Sequence, residues 1–229
     1  MKKLLITGAN GFIGKNLLFA LQDYKVLLFD KDYTYEYLDT VLGDVDFIFH
    51  LASGIKDGYD TTLSQFIISA LDRHDNYPPV IYTSSILATS DTPHGRYKRL
   101  EEELWKWYKG HVYIYRLANV FGRWAKPEYN SVVSTFLFNQ LYGLDFRIDE
   151  ATHDLSLVYI DDVVSEFRNV MEGTVERTPR EYLSVHPVYK ITVGQLSNAI
   201  QGLDDFYGNC RDTDIDHELL NKLYQTYQR

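Results

Sequence analysis

Eight residues near the N-terminus, TGANGFIG (residues 7–14), limit the folds open to this 229-residue chain more than any other stretch. They follow a short apolar run, KLLIT (residues 3–7), and open a helical pattern that extends over residues 11–23. Gly8 permits a tight turn, Gly11 lets backbone N–H groups approach a pyrophosphate, and Gly14 lets helix and strand pack closely. Asn10, Phe12 and Ile13 complete the turn, and the helix N-terminus that follows faces the anion. The next strand, KVLLF (residues 25–29), ends at Asp30. A carboxylate about 20 residues beyond such a turn accepts hydrogen bonds from the adenosine ribose of NAD. Lys31 beside it could instead pair with the 2′-phosphate of NADP, so NAD or NADP both stay open.

Strand-like runs recur at residues 46–51 (DFIFHL), 80–84 (VIYTS) and 112–116 (VYIYR). They are β-branched or aromatic and lack the alternation of a one-sided sheet, which suits a parallel sheet covered on both faces. Leu63, Phe66, Ile67, Ala70 and Leu71 fall at helical spacing between two of these runs. The fold class expected is α/β, a doubly wound parallel sheet with a small C-terminal substrate lobe. Beyond Arg116 the pattern predicts a loop over 117–129, a helix over 131–141, and strands near Phe146 and over 156–159. A helix from Asp161 and two more, near 193–203 and 214–227, follow. No Pro/Gly/Ser-rich linker intervenes, so one folded unit is expected. Residues 1–116 with 154–172 would form the dinucleotide core, and 117–153 with 173–229 the lobe.

Composition narrows the function. A net charge of −9 disfavours a nucleic-acid partner. A single cysteine, Cys210, fits a reducing compartment. The apolar start is interrupted by Thr7 and Gly8, and no run approaches the roughly 20 residues that span a bilayer. A cytoplasmic protein with no membrane partner is the expectation. The seven histidines are scattered, without H-E-x-x-H or paired cysteines, so no metal site is expected. There is no G-x-S-x-G elbow.

Taken with His50-Leu51-Ala52-Ser53, the pair Ser84-Ser85 and Lys98, the glycine turn resembles the extended short-chain dehydrogenase/reductase family. Within it, VYIYRLANVFGRWAKPEYNSVVSTF (residues 112–136) and LVYIDDVVSE (residues 157–166) are similar to the reductase portion of capsular-polysaccharide enzymes that make UDP-N-acetyl-L-fucosamine. The resemblance implies reduction of a 4-keto-6-deoxy nucleotide sugar, or its epimerisation, with a nicotinamide coenzyme. It also implies a homodimer and a cupin-type enzyme acting beside it. Leu51, Ala52 and Ser53 would line the coenzyme. Ser85 would hydrogen-bond the substrate oxygen, and Lys98 would hold the nicotinamide ribose. Arg116, Asn119, Lys126, Tyr129 and Asn130 would meet the sugar nucleotide, Lys126 at phosphate. Dehydration is disfavoured, because Ile86 and Leu87 stand where acids are needed.

The departure from the family lies in DTPHGRYKRLEEELW (residues 91–105), where His94 occupies the place of the proton-donating tyrosine four residues before Lys98. Imidazole is a competent acid near neutral pH, but a nearby ammonium lowers its pKa. Tyr97 is the possible substitute. Its stripe with Leu100, Leu104 and Tyr108 predicts a core-facing role, whereas His94 and Lys98 share another edge, toward the cleft. The alternative to an enzyme is a catalytically degenerate dinucleotide-binding protein.

Overall fold

In chain order the elements are β1 (Lys3–Thr7), α1 (Phe12–Ala20), β2 (Lys25–Phe29), α2 (Tyr35–Leu42), β3 (Phe47–His50) and α3 (Thr62–His74). There follow β4 (Val80–Ser85), a 3₁₀ turn (Ile86–Thr89), α4 (Pro93–Lys106), β5 (Val112–Leu117), β6 (Asn119–Phe121) and α5 (Val132–Tyr142). The chain continues through β7 (Asp154–Tyr159), α6 (Ile160–Glu172), β8 (Tyr182–Leu183), β9 (Tyr189–Thr192), α7 (Val193–Gln201) and α8 (His217–Tyr227). This computed structural model describes residues 1–53, 59–129, 131–203 and 215–228. Contacts divide the chain into two units, Met1–Leu117 with Val164–Val185, and Ala118–Val163 with His186–Arg229.

The first unit holds a six-stranded parallel sheet in the order β2-β1-β3-β4-β5-β8, the doubly wound α/β class expected. Leu5, Ile48, Val80, Tyr82 and Val112 of the strands pack on Leu38, Val41 and Leu42 of α2 and Ile67, Ala70 and Leu71 of α3. Full burial of an aliphatic side chain of this size contributes about 1.5–3 kcal/mol. The helical spacing in residues 63–71 therefore marks the side of α3 that meets the sheet. Helix α2 was not legible as a period; Thr34 starts it by accepting from the Tyr37 N–H.

In the second unit β7 lies between β6, parallel to it, and β9, antiparallel. Four expectations need correction here. Strand β6 lies inside the predicted loop at 117–129. No strand forms at Phe146, whose ring instead stacks on Phe136 of α5 at 4.8 Å. Residues 154–163 belong to the second unit, not to the dinucleotide core, because β7 pairs with β6 and β9. Residues 173–185, assigned to the lobe, belong to the first unit, because β8 extends the parallel sheet from β5.

Candidate active site

The chain leaves β1 toward β2 on one side and returns to β3 on the other, so a topological switch point falls between β1 and β3. The glycine turn sits there. Gly8 has φ +71°, and a Cβ on it would lie 2.8 Å from the Ala52 nitrogen, so the turn is pressed against the segment leaving β3. A Cβ on Gly14 would stand 2.4 Å from the Gly8 carbonyl oxygen. Helix α1 begins at Gly11 with no side-chain cap and no acid in its first turn, which leaves its N-terminal donors available for an anion. Asp30 is tied to the same turn: its Oδ2 accepts from the Asn10 N–H at 2.9 Å and its Oδ1 from the Lys31 N–H at 2.8 Å. A pyrophosphate with its adenosine ribose fits this cradle. Gly14→Val is expected to destabilise by several kcal/mol, since the obstructing atoms are backbone; a thermal melt matching the parent would contradict this.

From that turn a cleft of about 490 Å³ runs along the first unit. Gly8, Asp30 and Lys31 line one part, Ala52 and Ser53 another, and His50, Ser64, Tyr97 and Glu101 the wall beyond. The Leu51 N–H donates to the Thr7 carbonyl at 3.2 Å, and Phe12 and Ile13 are half-buried on α1.

Helix α4 forms that wall. Thr92 caps it, accepting from the Gly95 N–H at 3.0 Å, and Pro93 occupies its first turn. Gly95 lets the helix seat on the 3₁₀ turn after Ser85: a Cβ there would be 2.3 Å from the Leu87 oxygen. Ser85 ends β4, and its Oγ accepts from the Leu87 N–H at 3.1 Å, which leaves its own O–H to donate. Lys98 is 6% exposed, and its Nζ donates to the Thr83 carbonyl at 2.9 Å. Burial draws Lys98 down to about 8, opposed by the negative charges of Glu101 and Glu102. His94, half-buried, is also held below the usual imidazole range, by burial first and by the Lys98 charge second. The expected electrostatic coupling of the pair is present.

The phase of α4 differs from expectation. Leu100 is exposed, while Tyr97, Lys98, Glu101, Glu102, Trp105 and Tyr108 are buried. Tyr97 is core-packed, as predicted, yet it also lines the cleft and donates from its hydroxyl to the Asp60 carbonyl at 3.3 Å. None of Ser85, His94 and Lys98 lines this cleft among the described residues. The turn of the helix that puts Trp105 into the core also carries the two glutamates inward, a consequence hidden by their charge.

These glutamates head buried polar networks that the sequence reading missed. Thr7 Oγ1 meets His50 Nδ1 at 2.7 Å, His50 Nε2 meets Ser64 Oγ at 2.9 Å, and Ser64 donates to Glu101 at 2.5 Å. His50 is fully buried and pushed down to about 3, by desolvation first and Lys98 second. Burial pushes Glu101 up to about 7, against the lowering effects of Ser64 and Lys98. Glu102 accepts from Ser84 at 2.5 Å and from both Arg116 Nε, at 2.9 Å, and Nη2, at 2.7 Å. Arg116, expected at the substrate, has its guanidinium forked on a buried carboxylate and stacked 3.5 Å above the centre of the Tyr182 ring. Spacings of three and four residues from Lys98 to Glu101 and Glu102 were the available signal.

Asn119, Lys126 and Tyr129 lie in the second unit. Asn119 donates to the Ser156 carbonyl at 3.2 Å; Lys126 and Tyr129 are exposed. Asn130 lies outside the described residues. No helix among the described residues is long and apolar enough to cross a membrane.

Comparison with known proteins finds no matching family model. The chain is 35% identical, over 98% of its length, to a UDP-2-acetamido-2,6-β-L-arabino-hexul-4-ose reductase of Pseudomonas aeruginosa. It is 32% identical to the capsular polysaccharide assembling protein CapF of Staphylococcus aureus, with a TM-score of 0.83 over 98% of the chain. It spans 64% of the length of each. The Bordetella bronchiseptica enzyme WbmF, solved with NAD⁺, is similar in fold: 16% identity, a TM-score of 0.75, and coverage of 99% of this chain and 92% of that one.

Proposed function

We propose that the chain is a member of the extended short-chain dehydrogenase/reductase family and an NAD(P)-dependent reductase of a nucleotide sugar of the 4-keto-6-deoxy-hexosamine type, serving surface-polysaccharide biosynthesis. The observation that carries the reading is the cleft joining the glycine turn and Asp30 to the wall of α4. Names of the relatives support it: one reduces a UDP-linked hexulose, the other assembles capsular polysaccharide.

In this reading the α1 N-terminus holds the coenzyme pyrophosphate and Asp30 its ribose. When bound, the reduced nicotinamide supplies the hydride. The protein stabilises the oxygen. His94, at the second position of α4, is neutral at neutral pH. Neutral imidazole polarises a carbonyl by donating an N–H hydrogen bond as negative charge develops on the oxygen, the proton that completes the hydroxyl is drawn from solvent, and a second cation beside Lys98 is avoided. The Ser85 hydroxyl adds a second donor, while Lys98 holds positive charge under both. Lys126, Tyr129, Asn119 and Asn130 are proposed for the nucleotide sugar. A homodimer and a separate cupin-type enzyme belong to the same reading.

The test follows coenzyme oxidation with UDP-4-keto-6-deoxy-HexNAc. The parent should turn over, and His94→Phe should lose about 10²–10⁴-fold in kcat. Because the folded pKa of His94 is depressed, parent turnover should fall as pH drops below the ordinary imidazole range. A rise there would identify imidazolium as the acid. Loss of turnover in Tyr97→Phe, with His94→Phe active, would transfer the role to Tyr97, the residue that lines the cleft. Coenzyme binding without turnover would favour the degenerate dinucleotide-binding protein.

A further inference from the structure

We propose that Glu101 is a positioning residue for Lys98: its carboxylate, anchored by Ser64 in the wall of the coenzyme cleft, is the counter-charge that keeps the buried ammonium protonated. The proposal rests on the reading that Lys98 serves the coenzyme.

Charge accounting around Lys98 leads to it. Among the described residues Nζ hydrogen-bonds only neutral groups, the Thr83 carbonyl at 2.9 Å and the Tyr82 hydroxyl at 3.4 Å, so its charge is balanced at longer range. Glu102, four residues on, is already neutralised by the Arg116 fork. Glu101, three residues on, receives a neutral donor. Ser64 Oγ accepts from His50 Nε2–H at 2.9 Å and from Trp105 Nε1–H at 3.3 Å, which uses both lone pairs and sends its one proton to Glu101. His50 Nδ1 then accepts from Thr7, which makes the imidazole the neutral Nε2–H tautomer.

The groups facing Glu101 are therefore Ser64 of α3, the neutral His50 of β3, the neutral phenol of Tyr82 on β4, Asp60 ahead of α3, and Tyr97, Lys98 and Glu102 on its own helix. Lys98 is the cation in that set. Asp60 opposes ionisation of Glu101, and Ser64 and Lys98 favour it. Lys98 in turn loses charge by burial and regains it through Glu101 before Glu102. Such an arrangement makes the two protonation states depend on each other. It also confines coenzyme handling to the pH interval in which Lys98 remains charged.

The test titrates the Lys98 side chain by NMR of its ¹³Cε in the full chain, for the parent, Glu101→Gln and Glu101→Asp. The parent midpoint should fall near 8. In Glu101→Gln, nearly isosteric, it should move about one pH unit or more toward acid, the order expected when an opposite charge is removed. Glu101→Asp should keep most of the parent value. If the Gln variant does not fold, Ser64→Ala, which removes the donor that favours the Glu101 carboxylate, stands in and should likewise move the Lys98 midpoint toward acid. The alkaline limit of NADH binding, read by fluorescence, should move with the midpoint. An unmoved Lys98 midpoint in Glu101→Gln overturns the proposal, whatever the coenzyme does. Absence of NADH or NADPH binding to the parent would instead remove the coenzyme reading, and the NMR titration would still decide the role of Glu101.

Discussion

Replacing Arg116 by methionine should destabilise the protein by about 3–5 kcal/mol, the scale of stranding a buried charge. Glu102 is completely buried, and its carboxylate depends on the two guanidinium contacts for charge balance; Ser84 satisfies only a lone pair. The substitution also removes the cation stacked on Tyr182, where β8 joins β5. The double replacement Arg116→Met with Glu102→Leu should regain much of the loss, because a pair of packed apolar groups carries no desolvation cost. Urea midpoints of the three proteins give the answer. If Arg116→Met keeps the parent midpoint and raises only the KM for the nucleotide sugar, the sequence-based assignment of Arg116 to substrate is correct and the structural one fails.

The second large effect concerns acid stability. His50 has an ordinary value of 6.5 and a folded value of about 3, so the unfolded chain takes up a proton that the folded one refuses. Its contribution is present above pH 6.5 and is lost as pH falls toward 3. Glu101 runs the other way. With an ordinary value of 4.5 and a folded value of about 7, it favours the folded state at low pH and loses that contribution as pH rises from 4.5 to 7. Between 4.5 and 6.5 the two slopes cancel. Below 4.5 His50 acts alone, at about 1.4 kcal/mol per pH unit, or about 2 kcal/mol down to pH 3. In Glu101→Gln the His50 slope is unopposed from 6.5 downward and should total about 5 kcal/mol by pH 3. Urea midpoints measured for both proteins across this range subtract out the remaining carboxylates. Parallel curves would show that the two groups do not titrate as their burial implies.

Much of the fold was legible because its signals are local. Strands β1 and β2 match the apolar runs KLLIT and KVLLF residue for residue, and α3 follows its five apolar positions. After residue 117 the same logic held for α5, β7, α6, α7 and α8 but not for the shortest strands. Strand β6 has three residues and β8 two, too short to show a period. Phe146 reads as strand by composition but serves as a ring stacked on α5. On α4 the apolar stripe put Leu100 inside, where it is exposed, and gave no sign that Glu101 and Glu102 are buried.

The sequence by itself determined the glycine turn, the carboxylate at Asp30, the parallel core and the His94–Lys98 edge. Each depends on backbone dihedrals or on spacing within a few consecutive residues. Only the tertiary structure decided what Glu101, Glu102 and Arg116 do. The partners of Glu101 and Glu102, Ser64 and Arg116, lie 37 and 14 residues away on other elements. A buried charge is tolerated only through partners of that kind, and nothing in its own neighbourhood of the chain announces them.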